Sequence, residues 1–189
     1  MPERLLHHVA AYHPLNEETR AAISDAFEPL TFAKGDYLVR AGQQCRHLYF
    51  LEEGALRGFY LLDGKEVTHW FALAEEFVTS FHSFSTGTVS VESIQLLESA
   101  RLWAISKDKL TALLNDYPLL ERVLRLAYER YYVRLEERFV NAQFRPAADR
   151  YRDLLDMQPE LLQRIPLGYI ASWLGISAET LSRIRGKIV

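Results

Sequence analysis

The spacing of apolar residues changes near residue 106. Before that point, short apolar runs rich in β-branched and aromatic residues alternate with glycine-containing turns, a pattern that is typical of strands. Beyond it, apolar residues recur every three or four positions, as they do along helices. We predict strands at about 29–33, 37–40, 47–52, 55–62, 66–73, 91–97 and 100–105.

Two local signals add detail to the first half of the chain. Asn16 precedes an acidic turn and predicts the N-cap of a helix over residues 15–27. The pair Asp63-Gly64 separates two apolar runs and predicts a tight β-hairpin. Because the strands are not interleaved with helices, we predict an α+β chain that begins with an antiparallel β jelly-roll barrel over residues 1–117.

Residues 118–143 predict one long helix, with Pro118 in its first turn and Asp116 as a candidate cap. Its main apolar stripe consists of Leu120, Leu124, Ala127, Tyr131 and Leu135. The stripe could pack on the chain's own barrel or on a second copy. A second apolar set (Val123, Leu126, Val133, Val140) gives the helix more apolar surface than one barrel can cover, which favours a homodimer helix.

Composition narrows the class of protein. The 189 residues are 49% hydrophobic and 25% charged with a net charge of −3, which is typical of a globular domain. Residues 144–189 hold seven Lys/Arg against five Asp/Glu, so this end is basic on an acidic chain. The single cysteine excludes a disulfide framework, and no apolar run is long enough for a membrane span. We therefore expect a cytoplasmic protein without a cofactor, a metal or a catalytic site.

The segment at 165–188 predicts a helix, a tight turn and a second helix, with Gly175 in the turn and Ser177 as the cap. We assign residues 144–189 to a helix-turn-helix head that binds double-stranded DNA. In the second helix, Arg183 can donate to guanine and Glu179 can accept from cytosine. The remaining candidate DNA contacts are Ser177, Thr180, Ser182, Arg185 and Lys187.

A β-barrel, a long helix and a C-terminal helix-turn-helix, in that order, resemble the Crp/Fnr family of bacterial transcription regulators over essentially the whole chain. The most specific segment, GISAETLSRI at 175–184, is similar to the family's Gly-x-Ser-x-Glu-Thr-x-x-Arg pattern. The resemblance places Glu179 and Arg183 on base-contacting positions. Ala178 stands where some members have a further arginine, so the preferred bases need not match theirs.

The end of the chain also departs from the family. Members commonly continue the recognition helix into a β-hairpin wing, but only two residues follow Lys187 here. We therefore expect the phosphate contacts of a wing to be missing.

The resemblance also implies a cyclic-nucleotide-binding-like barrel, but the residues depart from the nucleotide signatures. Thr79-Ser80 stand at the family's Gly-Glu position, and Ser90-Val91 at its Arg-Ser/Thr position. Residues 73–98 contain no Lys or Arg to balance a phosphate. We therefore expect a degenerate pocket that does not bind cyclic AMP.

Aromatic side chains fill this part of the barrel, and they are either plain core or a site for an unknown small-molecule effector. The candidate pocket residues are Trp70, Phe71, Thr79, Ser80, Phe81, His82, Ser83 and Ser90. Two other classes of protein remain open. One is a small-molecule-binding barrel with a purely structural C-terminal hairpin, and the other is a cupin-like metal enzyme, which the scattered histidines disfavour.

Overall fold

The computed structural model describes residues 1–188, except for the side chain of Ile188. Its strands are β1 Glu28–Phe32, β2 Tyr37–Val39, β3 His47–Glu53, β4 Ala55–Leu62, β5 Lys65–Leu73, β6 Glu76–Val78, β7 Ser93–Leu96 and β8 Ala100–Ser106. Its helices are α1 Glu3–Ala10, α2 Glu17–Ala26, α3 Phe81–Thr86, α4 Lys107–Asp116, α5 Pro118–Phe144, α6 Ala147–Met157, α7 Pro159–Arg164, α8 Leu167–Trp173 and α9 Ala178–Ile188.

The strands form two four-stranded antiparallel sheets. Sheet A has the order β1-β8-β3-β6, and sheet B has the order β2-β7-β4-β5. This alternation of strands between two sheets is the jelly-roll arrangement, so the predicted α+β fold class is confirmed. The predicted barrel needs correction, because the two sheets are not joined edge to edge. They pack face to face over a shared core that includes Leu51, Leu56, Ile94 and Leu102.

Local sequence signals account for several boundaries. Asn16 caps α2, with its side-chain oxygen accepting from the Thr19 backbone N–H at 2.8 Å. Asp63 and Gly64 both have positive φ, and Leu62 pairs with Lys65 across them. This geometry is that of a two-residue hairpin loop, so the predicted turn is confirmed.

Helices α1, α2 and α4 and the first turns of α5 cover the outer face of sheet A. Their core joins Leu5, Ile23, Phe50, Ile105 and Leu120. Apolar periodicity did not predict α1, β6 or α3, which are short elements of eight, three and six residues. Short apolar runs carry too few turns of a helix, or too few alternations of a strand, to show a period.

Helix α5 spans 27 residues and begins at Pro118, where the missing N–H of proline costs no helical hydrogen bond. The predicted cap at this end needs correction. Asp116 ends α4, and Tyr117, which makes no side-chain cap, stands between the two helices.

The four C-terminal helices form a separate cluster, which we call the head. Its buried residues include Tyr151, Leu154, Ile170 and Leu174. This cluster extends onto the outer face of sheet B, through Ala55 and Leu97 with Phe71 and Leu73 packed beside them. The head is therefore seated against the β-sandwich. The predicted lack of a wing concerns the two residues after Lys187, of which the side chain of Ile188 and the whole of Val189 lie outside the described part.

Candidate nucleic-acid interface and effector pocket

The turn between α8 and α9 is built as its residues predicted. Gly175 has φ +68°, a conformation that glycine adopts without steric cost. The Ser177 hydroxyl accepts from the Thr180 backbone N–H at 3.1 Å and so caps α9. Arg150 of α6 donates to the Leu174 carbonyl at 2.9 Å and ties the end of α8 to the rest of the head. The first turn of α9 is thus capped by Ser177, and the end of α8 that leads into it is tied to α6.

Helix α9 has one buried side and one open side. Leu181 is only 1% exposed and packs into the head. The opposite face presents Glu179 and Arg183, whose side chains are 82% and 68% exposed and lie 3.5 Å apart as an i, i+4 pair. The predicted DNA contacts Ser177, Ser182, Arg185 and Lys187 are also exposed, and Thr180 is half-buried beside the cap.

Two arginines that the sequence did not single out hold the head against sheet B. Arg57 of β4 is almost completely buried, and its guanidinium lies 3.7 Å from the centre of the Tyr169 ring and donates to Gln95 at 2.8 Å. Arg164 of α7 donates to Glu98 and to the Gly54 carbonyl. The hydrogen bond from Arg164 lowers the pKa of Glu98.

A third link joins backbone to side chain at the same interface. The Ser172 hydroxyl of α8 accepts from the Thr68 backbone N–H at 3.0 Å and donates to the Glu66 carbonyl at 3.2 Å. These partners are more than a hundred residues apart in sequence, so no local pattern could have revealed them.

The predicted pocket serines are already hydrogen-bonded inside the protein. The hydroxyls of Ser80 and Ser90 lie 2.8 Å apart. Ser83 accepts from the Cys45 backbone N–H at 2.9 Å and donates to the Thr88 carbonyl at 2.6 Å. All three serines are buried, so this part of the candidate pocket offers no unsatisfied hydroxyl.

A buried carboxylate occupies the same region. Glu92 is 7% exposed and accepts from His69 Nε2 at 2.8 Å and from Trp70 Nε1 at 2.9 Å. Burial by itself would raise the pKa of Glu92, but the hydrogen bonds from His69 and Trp70 outweigh it, so its pKa lies below the ordinary value. The region therefore holds a negative charge of its own.

Gly58 makes this arrangement sterically possible. A Cβ atom at residue 58 would lie 2.1 Å from Trp70 Nε1, so any larger residue would displace the indole. The glycine in β4 thus leaves room for the indole to pass close to the strand and reach Glu92.

The other predicted pocket residues face a different space. Trp70, Phe71, Thr79 and Phe81 line a cavity of about 390 Å³ between the β-sandwich and α5, which we call the α5 cavity. His82 is exposed on α3 and lines neither region. The structure therefore divides the eight predicted pocket residues between a filled interior, an open cavity and the surface.

The predicted dimer stripe is also divided. Leu120 is buried in its own subunit's core, so the prediction of Leu120 as a contact between copies needs correction. Leu124, Ala127, Tyr131 and Leu135 line the α5 cavity. Further along α5, a set of large apolar side chains stays exposed in a single chain: Tyr128, Tyr131, Tyr132, Val133, Leu135, Phe139, Val140 and Phe144. We call this set the exposed α5 face.

Within residues 1–188, no three His, Cys, Asp or Glu side chains converge as a metal site would need. No described helix combines the length and the apolar character of a membrane span.

Comparison with known proteins agrees with this architecture. Residues 29–117 match the cyclic nucleotide-binding domain family. No curated protein matches the sequence at a significant level.

Several solved structures share the fold over nearly the whole chain. The catabolite activator protein of Thermus thermophilus is 22% identical, with a TM-score of 0.60, covering 96% of this chain and 86% of its own. The c-di-GMP responsive regulator CLP of Xanthomonas campestris is 17% identical, with a TM-score of 0.73 and coverages of 92% and 91%. A Eubacterium rectale protein described as a Crp/Fnr-family regulator is 18% identical, with a TM-score of 0.72 and coverages of 96% and 87%. The predicted resemblance to Crp/Fnr regulators is thereby confirmed in the fold.

Proposed function

We propose that this chain, which carries a cyclic nucleotide-binding domain at residues 29–117 and has the fold of Crp/Fnr-type transcription regulators, is itself a dimeric regulator that binds double-stranded DNA. The observation that carries the proposal is the open face of α9. Glu179 and Arg183 project into solvent while Leu181 anchors the same helix in the head. A helix held in this way can enter the major groove without unfolding any part of the head.

The two exposed charges have different partners in free and bound protein. In the free chain Arg183 forms an ion pair with Glu179 at 3.5 Å and in solvent, so little free energy is lost when this pair opens. On DNA, Arg183 would donate to a guanine and Glu179 would accept from a cytosine amino group. Arg185 and Lys187 would contact phosphates and contribute affinity without base preference.

The exposed α5 face supports a homodimer. Tyr132 and Phe139 are 65% and 62% exposed, and a row of large apolar groups in water is costly unless another surface covers it. A second copy related by a two-fold axis would bury both rows together. Two heads related by that axis would then read two half-sites of an inverted repeat, about 34 Å apart.

We further propose that the interior of the sandwich does not bind cyclic AMP. The charge of Glu92 would repel a cyclic phosphate, and the nearby serines are already hydrogen-bonded. Regulation would then use another signal or none. The related structures are regulators, which favours a protein without catalytic activity.

The direct test is selection of duplexes from a random pool, followed by sequencing. We expect an inverted repeat whose half-sites lie one helical turn apart. Enrichment of no sequence, or of a single unpaired half-site, would contradict the proposal.

Calorimetry with cyclic AMP tests the second proposal. It should show no saturable heat at millimolar ligand, and micromolar binding would refute the argument from Glu92.

A further inference from the structure

Ser172 of helix α8 is bonded to the free edge of sheet B. Strand β5 is an edge strand of this sheet, so alternate backbone N–H and C=O groups on its outer side have no partner strand. The Ser172 hydroxyl meets two of these groups, because it accepts from the Thr68 N–H and donates to the Glu66 carbonyl. A hydroxyl group can do both, since it is a donor and an acceptor at once. This side chain therefore fixes α8 to the sheet edge at one point.

Tyr169, three residues earlier on α8, provides a second point of contact with the sandwich. Its ring centre lies 3.7 Å from the guanidinium of Arg57, and the ring centre of Phe59 lies 4.2 Å from the same group. Within residues 1–188, the hydrogen bonds of the Arg57 side chain all go to sheet B, and their acceptors are Gln95, Thr68 and Glu66. Because the sandwich already orders this guanidinium, Tyr169 gains a cation–π contact without the cost of ordering the arginine.

The position of α8 determines the position of α9. Ile170 and Leu174 of α8 are completely buried and belong to the same core cluster as Leu181 of α9. The interior of a protein is close-packed, so two helices that share such a cluster move as one body. Residues 169 and 172 are three positions apart and therefore lie on the same face of α8. Contacts at both residues restrain the rotation of the helix as well as its distance from the sheet, and so hold α9 at one angle to the sandwich.

We propose that Arg57, Tyr169 and Ser172 form a mount that determines which half-site spacing the protein accepts on DNA. They are positioning residues, since they lie on β4 and α8 and not on α9. In a dimer, two mounted heads present their α9 helices at one separation and one mutual angle. Each base pair inserted between the half-sites adds about 3.4 Å and turns one half-site by about 35° around the duplex axis. The role in spacing rests on the proposed function, whereas the mount itself does not.

Hydrogen exchange of the natural full chain, followed at single amides by NMR, tests the mount without DNA. The Thr68 amide should exchange slowly although it faces the sheet edge, because it is bonded to Ser172. Ser172→Ala and Tyr169→Leu should each speed this exchange about tenfold or more, whereas Tyr169→Phe, which keeps the ring, should match the natural chain. Ser24→Ala on α2 is the matched serine control. Rapid exchange of Thr68 in the natural chain, or exchange that neither variant changes, would overturn the mount.

The role in spacing is tested with the duplex that the natural chain selects and with a second duplex that carries one extra base pair between the half-sites. The natural chain should bind the longer duplex about tenfold more weakly, the cost of a typical mismatch. Tyr169→Leu should narrow this ratio to about threefold and leave the base preference within each half-site unchanged, because α9 itself is intact. Tyr169→Phe should keep the natural ratio. An equal loss of affinity for both duplexes would overturn the role in spacing, because it would indicate general damage to the head.

The two measurements separate this proposal from the proposed function. If the natural chain selects no duplex, the proposed function fails, and the exchange rates still decide whether the mount exists. If it selects an inverted repeat but binds the longer duplex equally well, the proposed function stands and the role in spacing is overturned. Thermal melting verifies that each variant folds, and the smaller change Ser172→Ala replaces Tyr169→Leu in both measurements if the latter does not fold.

Discussion

The open face of α9 and the interior of the β-sandwich are both rich in short polar and charged side chains, but they use them in opposite ways. On α9, Glu179 and Arg183 share one long contact in solvent. In the sandwich, Ser80, Ser90 and Glu92 are buried and hydrogen-bonded to one another or to neighbouring rings. The comparison shows that polar residues indicate a binding surface only where the fold leaves their hydrogen-bonding capacity unused.

A similar contrast separates the first and second halves of α5. Leu120 and Val123 are buried within one chain, whereas Tyr132, Phe139 and Phe144 remain in solvent. The first pair stabilises the fold of the single subunit. The second group is free to contact a second copy. Four experiments test the contrast along α5 and the contrast between α9 and the sandwich interior.

The largest expected effect is on assembly. Phe139→Arg would place a charge on the exposed α5 face and, in a two-fold dimer, two such charges in one apolar interface, at a cost of several kcal/mol. Light scattering should show a dimer for the natural chain and a monomer for the variant. Arg101→Ala, on β8 of the sandwich and not on α5, is the control and should remain a dimer. A natural chain that is monomeric at all concentrations would contradict the dimer proposal.

Next in size is a change in the sandwich interior. Gly58→Ala would bring a methyl group against the Trp70 indole and push the ring away from Glu92. We expect this variant to lower the free energy of unfolding by about 1–3 kcal/mol. Gly168→Ala is a matched control, since no atom lies within 4 Å of the added Cβ. Thermal melting should show a lower midpoint for Gly58→Ala and an equal or higher one for Gly168→Ala. Similar midpoints for both variants would mean that the indole can shift freely.

The third experiment concerns the open face of α9. Arg183→Ala should cost about 1–3 kcal/mol per half-site and relax the preference at one base pair, because a bidentate contact to guanine is lost. Lys187→Ala should weaken binding to all sequences about equally and reduce its salt dependence. Titrations on the selected duplex and on a random duplex separate the two outcomes. An Arg183→Ala effect of the same size on both duplexes would count against base reading by this residue.

The smallest expected effect depends on pH. Because the folded-state pKa of Glu92 is lowered, its charged form stabilises the fold above its unfolded pKa of about 4.5, and this contribution is lost as pH falls through the folded value. Glu92→Gln keeps an acceptor but removes the charge, so we expect a loss of about 1 kcal/mol at pH 7. Denaturant unfolding should show the difference from the natural chain shrinking below pH 4.5. A difference that grows on acidification would reverse the assigned sign.

Features encoded by neighbouring residues were predictable from the sequence. The Asp63-Gly64 hairpin, the Asn16 cap and the Gly175–Ser177 turn each depend on the backbone preferences of a few adjacent residues. The seven predicted strands and the long helix follow from periods of two and of 3.6 residues that do not depend on distant parts of the chain. The motif around Arg183 is likewise local, so the sequence by itself predicts the helix-turn-helix.

Only the tertiary structure decided which surfaces are filled and which are open. Arg57 meets Tyr169 across 112 positions of sequence, and Glu92, which lies just before β7, meets His69 and Trp70 of β5. Leu120 shares the period of the predicted stripe, but in the tertiary structure it packs into the core of its own subunit. A hydrophobic period fixes the face of a helix relative to its own axis, but the direction of that face depends on the long-range packing that orients the whole helix.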